Sequence, residues 1–157
     1  MEKVLRDKIV FVCTGNTCRS PMAQVFLENQ IQNVPEIAHY TIMSAGLLAH
    51  EGEKSSSAVR AVVRARGLSL ENHCAQPLTQ AIVDRAAAII CATSDHEGFL
   101  RERFVNLPEI CTSFVKFGGD VPDPYFGKLE AYGMVADEIE QKVPLIIEFL
   151  RKELNDH

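Results

Sequence analysis

The stretch KIVFVCTGNTCRSP, residues 8–21, decides the fold. Residues 8–13 are mostly β-branched or aromatic, a composition typical of a buried parallel strand. A glycine-containing loop follows, and Ser20 and Pro21 then form a favourable N-cap and first turn for a helix that is expected to reach Gln32. The stretch therefore predicts a strand, a loop and a helix in that order.

The same alternation continues along the rest of the chain. Further strands are predicted at residues 40–45, 87–92 and 113–117, and further helices at residues 55–66, 79–85, 94–104 and 129–154. Pro144 lies within the last helix and is expected to kink it or to split it near Lys142. Strands that alternate with helices predict a single doubly wound α/β domain over residues 1–157, with a four-stranded parallel sheet and helices on both faces.

Length, composition and charge exclude several classes of protein. The chain has 157 residues, enough for one domain with a real core, and it is 46% hydrophobic and 24% charged, as ordinary globular proteins are. Its net charge of −5 provides no basic surface for nucleic acid or for an anionic membrane. The sequence has no run that could span a membrane and no signal peptide, so we expect a cytoplasmic protein whose five cysteines are free thiols.

The loop between Cys13 and Arg19 has the features of an oxyanion site. Ligands of a doubly wound sheet bind beyond the carboxyl ends of its strands, and the amides at a helix N-terminus attract phosphate. The sequence contains neither the GK[ST] that ends a Walker loop nor the GxGxxG of a dinucleotide site. Five residues separate Cys13 from Arg19, and a loop of this length is expected to bring the Arg19 guanidinium back over the Cys13 sulfur. The amides and the guanidinium then favour a Cys13 thiolate that is placed to attack a bound phosphoryl group.

A longer stretch of the same region, FVCTGNTCRSPMA at residues 11–23, resembles the signature of the low-molecular-weight protein tyrosine phosphatases. The resemblance extends over nearly the whole chain and includes SAG at 44–46, NHCAQPL at 72–78 and DPYFG at 123–127. It implies a phosphoric monoester hydrolase that removes phosphate from phosphotyrosine in proteins. Such an enzyme releases inorganic phosphate and requires no cofactor and no metal. We expect a monomer or a weak homodimer.

The resemblance assigns chemical roles to the loop. Cys13 is expected to be the nucleophile that forms a phosphocysteine, and Arg19 is expected to bind the phosphate and its transition state. The phosphate-binding residues are expected to be Thr14, Gly15, Asn16, Thr17, Cys18, Arg19 and Ser20.

The resemblance also implies residues that support the loop. Ser20 is expected to donate a hydrogen bond to the Cys13 sulfur. Asn16, held by Ser44 and His73, is expected to brace the turn of the loop.

Asp123 lies between two prolines, which fix it on a rigid, extended segment. Expulsion of a phenolate requires a general acid, and the acid of the family is the aspartate of its DP motif, so Asp123 is expected to fill that role and later to activate water. Asp120 is expected only to cap or solvate its loop. Tyr125 and Phe126 are expected to wall the substrate slot, together with Thr17 in the loop and His50 opposite.

The remaining cysteines are expected to divide into two classes. Cys18 resembles the second loop cysteine with which family members form a reversible disulfide, which would protect Cys13 from irreversible oxidation. Cys74, Cys91 and Cys111 are expected to be core residues.

Three other functions remain open at this point. Thr17 stands where tyrosine-specific members usually carry a bulky aliphatic residue, so CTGNTCRS resembles the loop of the protein arginine phosphatases of the same family, whereas DPYFG favours tyrosine. Arsenate reduction would require two further cysteines closer together than the 17-residue spacing of Cys74 and Cys91. A non-catalytic phosphate-binding or redox-sensing module that uses the two loop cysteines would tolerate loss of Asp123.

Overall fold

Strands and helices alternate along residues 5–124 and 127–155, the parts of the chain that the computed structural model describes. In chain order these elements are β1 (Lys8–Cys13), α1 (Arg19–Ile31), β2 (Thr41–Gly46), α2 (Ser57–Arg64), α3 (Gln80–Arg85), β3 (Ala86–Cys91), α4 (Ser94–Arg103), β4 (Ile110–Ser113), a 3₁₀ helix (Phe114–Phe117) and α5 (Leu129–Asn155).

The four strands form one parallel sheet in the order β2-β1-β3-β4. The chain leaves the central strand β1 for β2 on one side and later returns to β3 on the other side. The carboxyl end of β1 is therefore the topological switch point, where open α/β sheets bind their ligands. The doubly wound fold predicted from the sequence is confirmed, and its switch point falls at Cys13.

Apolar side chains cover both faces of the sheet. Along β1, Ile9 and Phe11 are buried in the layer that contains residues of α1, α2 and α5, whereas Val10 and Val12 are buried in the layer of α3 and α4. Successive strand residues point to opposite faces, so a strand that is buried on both sides shows an uninterrupted apolar run. This burial explains why residues 8–13 carry almost no polar side chain.

Helix α1 begins two residues earlier than the sequence indicates. Ser20 was predicted to be the N-cap, but Cys18 occupies that position and makes no side-chain cap hydrogen bond, while Ser20 lies within the helix. The prediction was wrong because the hydroxyl of Ser20 contacts the Cys13 sulfur instead of a helix amide. The amides of the first turn are thus left without a side-chain cap.

The predicted strand at residues 113–117 is also wrong. Strand β4 ends at Ser113, whose hydroxyl accepts the backbone N–H of Val115, and a 3₁₀ helix follows. Phe114 and Phe117 are both buried, at the three-residue spacing that places side chains on the same face of a 3₁₀ helix. Gly118, with φ 130°, ends this turn.

Helix α5 runs through Pro144 without a break, so the split expected near Lys142 does not occur. Val143 and Ile146, on either side of the proline, are fully buried, and packing holds the two halves in one helix. In the part of the chain that the structure describes, none of the helices is both long enough and apolar enough to cross a membrane.

Candidate active site

The loop of residues 14–18 connects the end of β1 to the start of α1. Cys13, the last residue of the strand, is buried, and Arg19 is the first residue of the 13-residue helix. Helix N-termini combine free amides with positive electrostatic potential, which favours the binding of an anion. Strand and helix together therefore hold a thiol, a set of amides and a guanidinium at one point.

Asn16 organises this loop. It has a left-handed backbone, with φ 57°, and its side chain is fully buried. Its amide nitrogen donates to Ser20 Oγ and to Ser44 Oγ, both at 2.9 Å, and its Oδ1 accepts the backbone N–H of Gln76 at 2.9 Å. His73 Nε2 is 2.7 Å from the Asn16 carbonyl oxygen. The structure thus brings together the predicted supports and adds Gln76, which the sequence analysis missed.

Ser20 lies between the Asn16 amide and the Cys13 sulfur and hydrogen-bonds to both. The Asn16 amide nitrogen can only donate, so Ser20 Oγ accepts from it and has its own proton for another partner. That partner is Cys13 Sγ, 2.9 Å from Ser20 Oγ. A Cys13 thiolate can only accept, so in that state of the sulfur the hydroxyl donates to it, an arrangement that stabilises negative charge there.

His73 is a donor at Nε2 because a carbonyl oxygen can only accept. Burial lowers the pKa of His73, and nearby Lys54 acts in the same direction, while the hydrogen bond to Asn16 opposes them. The ring is therefore expected to be neutral at neutral pH, with its single proton at Nε2.

The guanidinium of Arg19 is buried and has three neighbours. Its Nη1 donates to the Val121 carbonyl oxygen at 3.2 Å, and its Nη2 donates to Thr14 Oγ1 at 3.4 Å. The same Nη2 lies 3.6 Å from Asp123 Oδ2. These contacts aim the fork of donors towards the loop, where it can clamp two oxygens of a tetrahedral anion.

Asp123 lies on a segment that is anchored just before it. Asp120 was expected only to cap or solvate its own loop, but its Oδ1 accepts the backbone N–H of Ser94, the first residue of α4, at 2.8 Å. Val121 N–H donates to the Ala92 carbonyl oxygen at 2.9 Å. The Asp123 side chain is 53% exposed, so its carboxylate can contact both Arg19 and solvent.

A cavity of about 390 Å³ lies over the loop. Its lining includes the predicted residues Cys13, Thr14, Gly15, Thr17, Cys18, Arg19, His50 and Asp123. The sequence analysis missed Glu53, Lys54, Ser56 and Tyr132, which also line it. Tyr132 reaches the cavity from α5. The predicted wall residues Tyr125 and Phe126 lie outside the described residues.

Cys18 differs from Cys13 in its surroundings. Burial raises the pKa of the Cys18 thiol to about 12; the Cys13 sulfur and Asp123 act in the same direction, and only Arg19 opposes them. Cys18 therefore stays protonated at neutral pH, although it lines the same cavity.

The other cysteines are only partly as expected. Cys91 and Cys111 are buried, and burial raises the pKa of both thiols. Cys74 is exposed, so its assignment to the core was wrong. It lies on a surface connection between α2 and α3, where Lys54 Nζ donates to its sulfur at 3.4 Å. The apolar neighbours in the sequence, Ala75 and Leu78, are buried in its place.

Gly46 sets the distance between β2 and the loop. It pairs with Cys13 in the sheet, and a Cβ atom at this position would lie 2.6 Å from the Thr14 carbonyl oxygen and 3.0 Å from the Asn16 backbone nitrogen. Backbone atoms cannot yield as a flexible side chain can, so any larger residue must displace the loop.

The Gly46→Ala variant is therefore expected to lose about 1–3 kcal/mol of unfolding free energy and to bind phosphate more weakly. Urea unfolding and calorimetric titration with phosphate measure the two effects. Gly133→Ala, in α5, is the matched control: nothing lies within 4 Å of its added Cβ atom, so stability should rise by about 0.5–1 kcal/mol with unchanged phosphate affinity. Wild-type phosphate affinity in Gly46→Ala would contradict the packing argument.

Comparisons with known proteins agree with this geometry. A family model described as "Low molecular weight phosphotyrosine protein phosphatase" matches residues 8–156. A "Protein-arginine-phosphatase" of Geobacillus stearothermophilus is 33% identical over 150 residues, which cover 93% of this chain and 97% of the relative. The "Low molecular weight protein-tyrosine-phosphatase Wzb" of Salmonella typhi is 31% identical over 140 residues, with coverages of 86% and 88%.

A solved structure also matches this chain, and the match covers most of both proteins. It is described as the YwlE arginine phosphatase, a cysteine-to-serine mutant with phosphorylated active site serine. Its TM-score is 0.84 at 26% sequence identity, and the match covers 93% of this chain and 97% of that one.

Proposed function

Because the chain belongs to the low molecular weight phosphotyrosine protein phosphatase family, we propose that it hydrolyses phosphotyrosine in proteins through a phosphocysteine at Cys13. The family consists of phosphoric monoester hydrolases that act on phosphorylated proteins. The observation that carries the proposal is the meeting of Cys13, Arg19 and Asp123 in one cavity at the switch point of the sheet.

In the first step the phosphoryl dianion binds to the amides of residues 14–19 and to the Arg19 guanidinium. The Cys13 sulfur then attacks phosphorus as the bond to the phenolic oxygen breaks, and protonated Asp123 donates its proton to that oxygen. The phenol of the tyrosine leaves, and the phosphoryl group remains on sulfur. The Ser20 hydroxyl stabilises the sulfur charge before attack.

In the second step water attacks the phosphorus of the phosphocysteine, and the Asp123 carboxylate accepts a proton from it. The bond between phosphorus and sulfur breaks, and the electron pair returns to Cys13 as a thiolate. Hydrogen bonding from Ser20 makes this sulfur a better leaving group. The products are inorganic phosphate and the regenerated enzyme, without a metal or a cofactor.

The description of a relative supports covalent catalysis of this kind. In the YwlE arginine phosphatase structure a serine that replaces a cysteine carries the phosphoryl group in the active site. If the side chain at that position attacks the phosphorus of the substrate, the phosphoryl group is transferred to it, as it is on the serine of that structure. We extend the role to Cys13 because the two chains share their fold over 93% of this one.

A second candidate function is the dephosphorylation of phosphoarginine through the same phosphocysteine. Here the bond between phosphorus and a guanidine nitrogen breaks, and Asp123 donates its proton to that nitrogen. Thr17 lines the cavity, where its hydroxyl could hydrogen-bond to a guanidinium that a bulky aliphatic side chain would exclude. Glu53 and Asp123 add two carboxylates to the same cavity, and such charges suit a cationic substrate group. The name of the Geobacillus stearothermophilus relative also favours this candidate.

The Thr17→Ile variant separates the two candidates. We expect kcat/KM on a phosphoarginine peptide to fall about 10-fold, because a hydrogen bond to a charged group is lost. On the phosphotyrosine peptide of the same sequence, kcat/KM should stay level or rise, because the aliphatic side chain packs against the phenyl ring. The rate of phosphate release from each peptide, at several enzyme concentrations, gives the two kcat/KM values and their ratio.

Thr17→Ser is the matched control, since it keeps the hydroxyl and should keep the wild-type ratio. A wild-type preference for phosphoarginine would replace the tyrosine proposal by the second candidate. Failure to hydrolyse either peptide would overturn both.

Cys18 is proposed to protect the nucleophile. A peroxide oxidises the Cys13 thiolate to a sulfenic acid with loss of water, and the Cys18 thiol then attacks that sulfur, so that a disulfide forms and a second water leaves. Both cysteines line the same cavity, which supports this pairing.

We also propose that the protein works in the cytoplasm as a monomer or a weak homodimer. The five cysteines are all free, as a reducing compartment would keep them. The net charge of −5 opposes self-association.

A further inference from the structure

His96 is a buried histidine beside the phosphate loop that the mechanism above does not use. It lies in the first turn of α4 and is 9% exposed. Sequence reasoning missed it because a single histidine near the start of a predicted helix resembles an ordinary surface residue. A buried imidazole must satisfy two ring nitrogens, so its partners reveal what it orients.

Two threonine hydroxyls hydrogen-bond to the ring nitrogens of His96. Thr93 Oγ1 is 2.9 Å from Nδ1 and also accepts the His96 backbone N–H at 3.1 Å, as the N-cap of α4. On the opposite side of the ring, Nε2 is 2.8 Å from Thr14 Oγ1. Thr14 directly follows Cys13, so His96 connects helix α4 to the phosphate loop.

The hydroxyl of Thr14 also contacts Arg19, whose Nη2 donates to it at 3.4 Å. The two neutral tautomers of the ring assign the protons differently. In the tautomer that the proposal below requires, the Thr93 hydroxyl donates to Nδ1, and Nε2–H donates to Thr14 Oγ1. The Thr14 oxygen then accepts from His96 and from Arg19. Its own proton is left to donate, and Thr14 lines the cavity that holds the Cys13 sulfur.

The charges around the ring keep it in a state with one proton. Burial lowers the pKa of His96 to about 4, and the Arg19 cation acts in the same direction, whereas Asp120, Asp95 and Asp123 oppose them. At neutral pH the imidazole is therefore neutral, and it can accept at Nδ1 while it donates at Nε2.

We propose that His96 is a positioning residue: it holds the Thr14 hydroxyl against Arg19, so that this hydroxyl donates to a phosphoryl oxygen in the transition state. The inference rests on the proposed phosphatase function and adds a side-chain donor to the backbone amides. Negative charge on the equatorial oxygens must be stabilised during phosphoryl transfer, and a donor that is oriented in advance does so without reorganisation.

A purely structural His96 would behave differently from a positioning residue. As part of the α4 N-cap it would affect unfolding, and its removal would add to the effect of removing the Thr14 hydroxyl. If it acts through Thr14, its removal has no further catalytic effect once that hydroxyl is gone. A double-mutant cycle on catalysis therefore separates the two roles.

The experiment compares Thr14→Val, His96→Phe, their double variant and His96→Gln with the wild-type chain. Steady-state kinetics on p-nitrophenyl phosphate give kcat and KM, inhibition by vanadate and by inorganic phosphate gives two Ki values, and thermal unfolding gives Tm. We expect each single variant to lower kcat about 10-fold with little change in KM, and the double variant to lose about 10-fold instead of about 100-fold.

Two further readouts are specific to the transition state and to the donor. The Ki for vanadate, which resembles the transition state, should rise with the loss of kcat, while the Ki for phosphate changes less. His96→Gln can still present an N–H to Thr14 and should recover kcat to within about threefold of wild type. The matched control is His39→Phe, since His39 is exposed and only stacks on Tyr40.

Full activity in Thr14→Val, or losses that multiply in the double variant, would overturn the inference. So would a His96→Gln variant that is as slow as His96→Phe. If His96→Phe does not fold, the cycle is run with His96→Asn, whose shorter amide does not reach Thr14. An inactive wild-type chain would refute the proposed function, whereas an active one with a failed cycle would refute only the role of His96.

Discussion

The Cys13→Ser variant is expected to hydrolyse p-nitrophenyl phosphate at least about 10⁴-fold more slowly than the wild-type chain, because the reaction loses its nucleophile. A serine hydroxyl is a much weaker nucleophile than a cysteine sulfur. Phosphate should still bind, since residues 14–19 keep their amides and the guanidinium keeps its anchors. Steady-state kinetics and calorimetric titration with phosphate measure the two properties.

Cys74→Ser is the matched control for this substitution. Cys74 is exposed and does not line the cavity, so its replacement should leave turnover unchanged. Activity in Cys13→Ser comparable to that of Cys74→Ser would end the proposal of covalent catalysis at Cys13. Loss of phosphate binding together with turnover would instead indicate that the loop had collapsed.

The Asp123→Asn variant is expected to lower kcat on aryl phosphates with weakly acidic phenols by about 10²–10⁴-fold, the usual contribution of a general acid. An amide cannot donate a proton to the departing oxygen, so the penalty should grow as the leaving group becomes more basic. Substrates whose phenols are strongly acidic should lose much less in the first step. A series of aryl phosphates, with kcat plotted against the pKa of the phenol, measures this dependence.

Asp120→Asn provides the comparison for Asp123→Asn on the same segment. Asp120 caps α4, so its substitution should reduce the unfolding free energy by at most about 1 kcal/mol without changing the leaving-group dependence. An Asp123→Asn variant with wild-type kinetics would remove the acid from the mechanism.

The sequence predicted those parts of the fold that depend on local pattern. Residues 8–21 predicted β1, the loop and α1 because apolar side chains, a glycine and a proline each restrict the backbone nearby. β2 and β3 were predicted to within one residue, and β3, an inner strand of the sheet, is a short apolar run. The Cys13 to Arg19 spacing predicted a shared site for the same local reason.

Features that depend on distant parts of the chain could not be predicted. Ser20 is a good N-cap by its residue type, yet the sulfur of Cys13 and the amide of Asn16 occupy its hydroxyl. His96 and Tyr132 reach the cavity from α4 and α5, and no local pattern indicates which helix residue will face a loop formed some eighty or more residues earlier. These contacts are fixed only by how the helices pack on the sheet.

The bonds of Asn16 also have a consequence for the synthesis of the chain. Its partners Ser44, His73 and Gln76 lie 28, 57 and 60 residues further along, so the emerging polypeptide carries the reactive thiol long before it carries the residues that shape the loop. Contacts of such sequence separation form late, after the intervening chain has been ordered. A ribosome-bound fragment that ends before Gln76 is therefore not yet a phosphatase, and the activity appears only as the newly made protein completes its sheet.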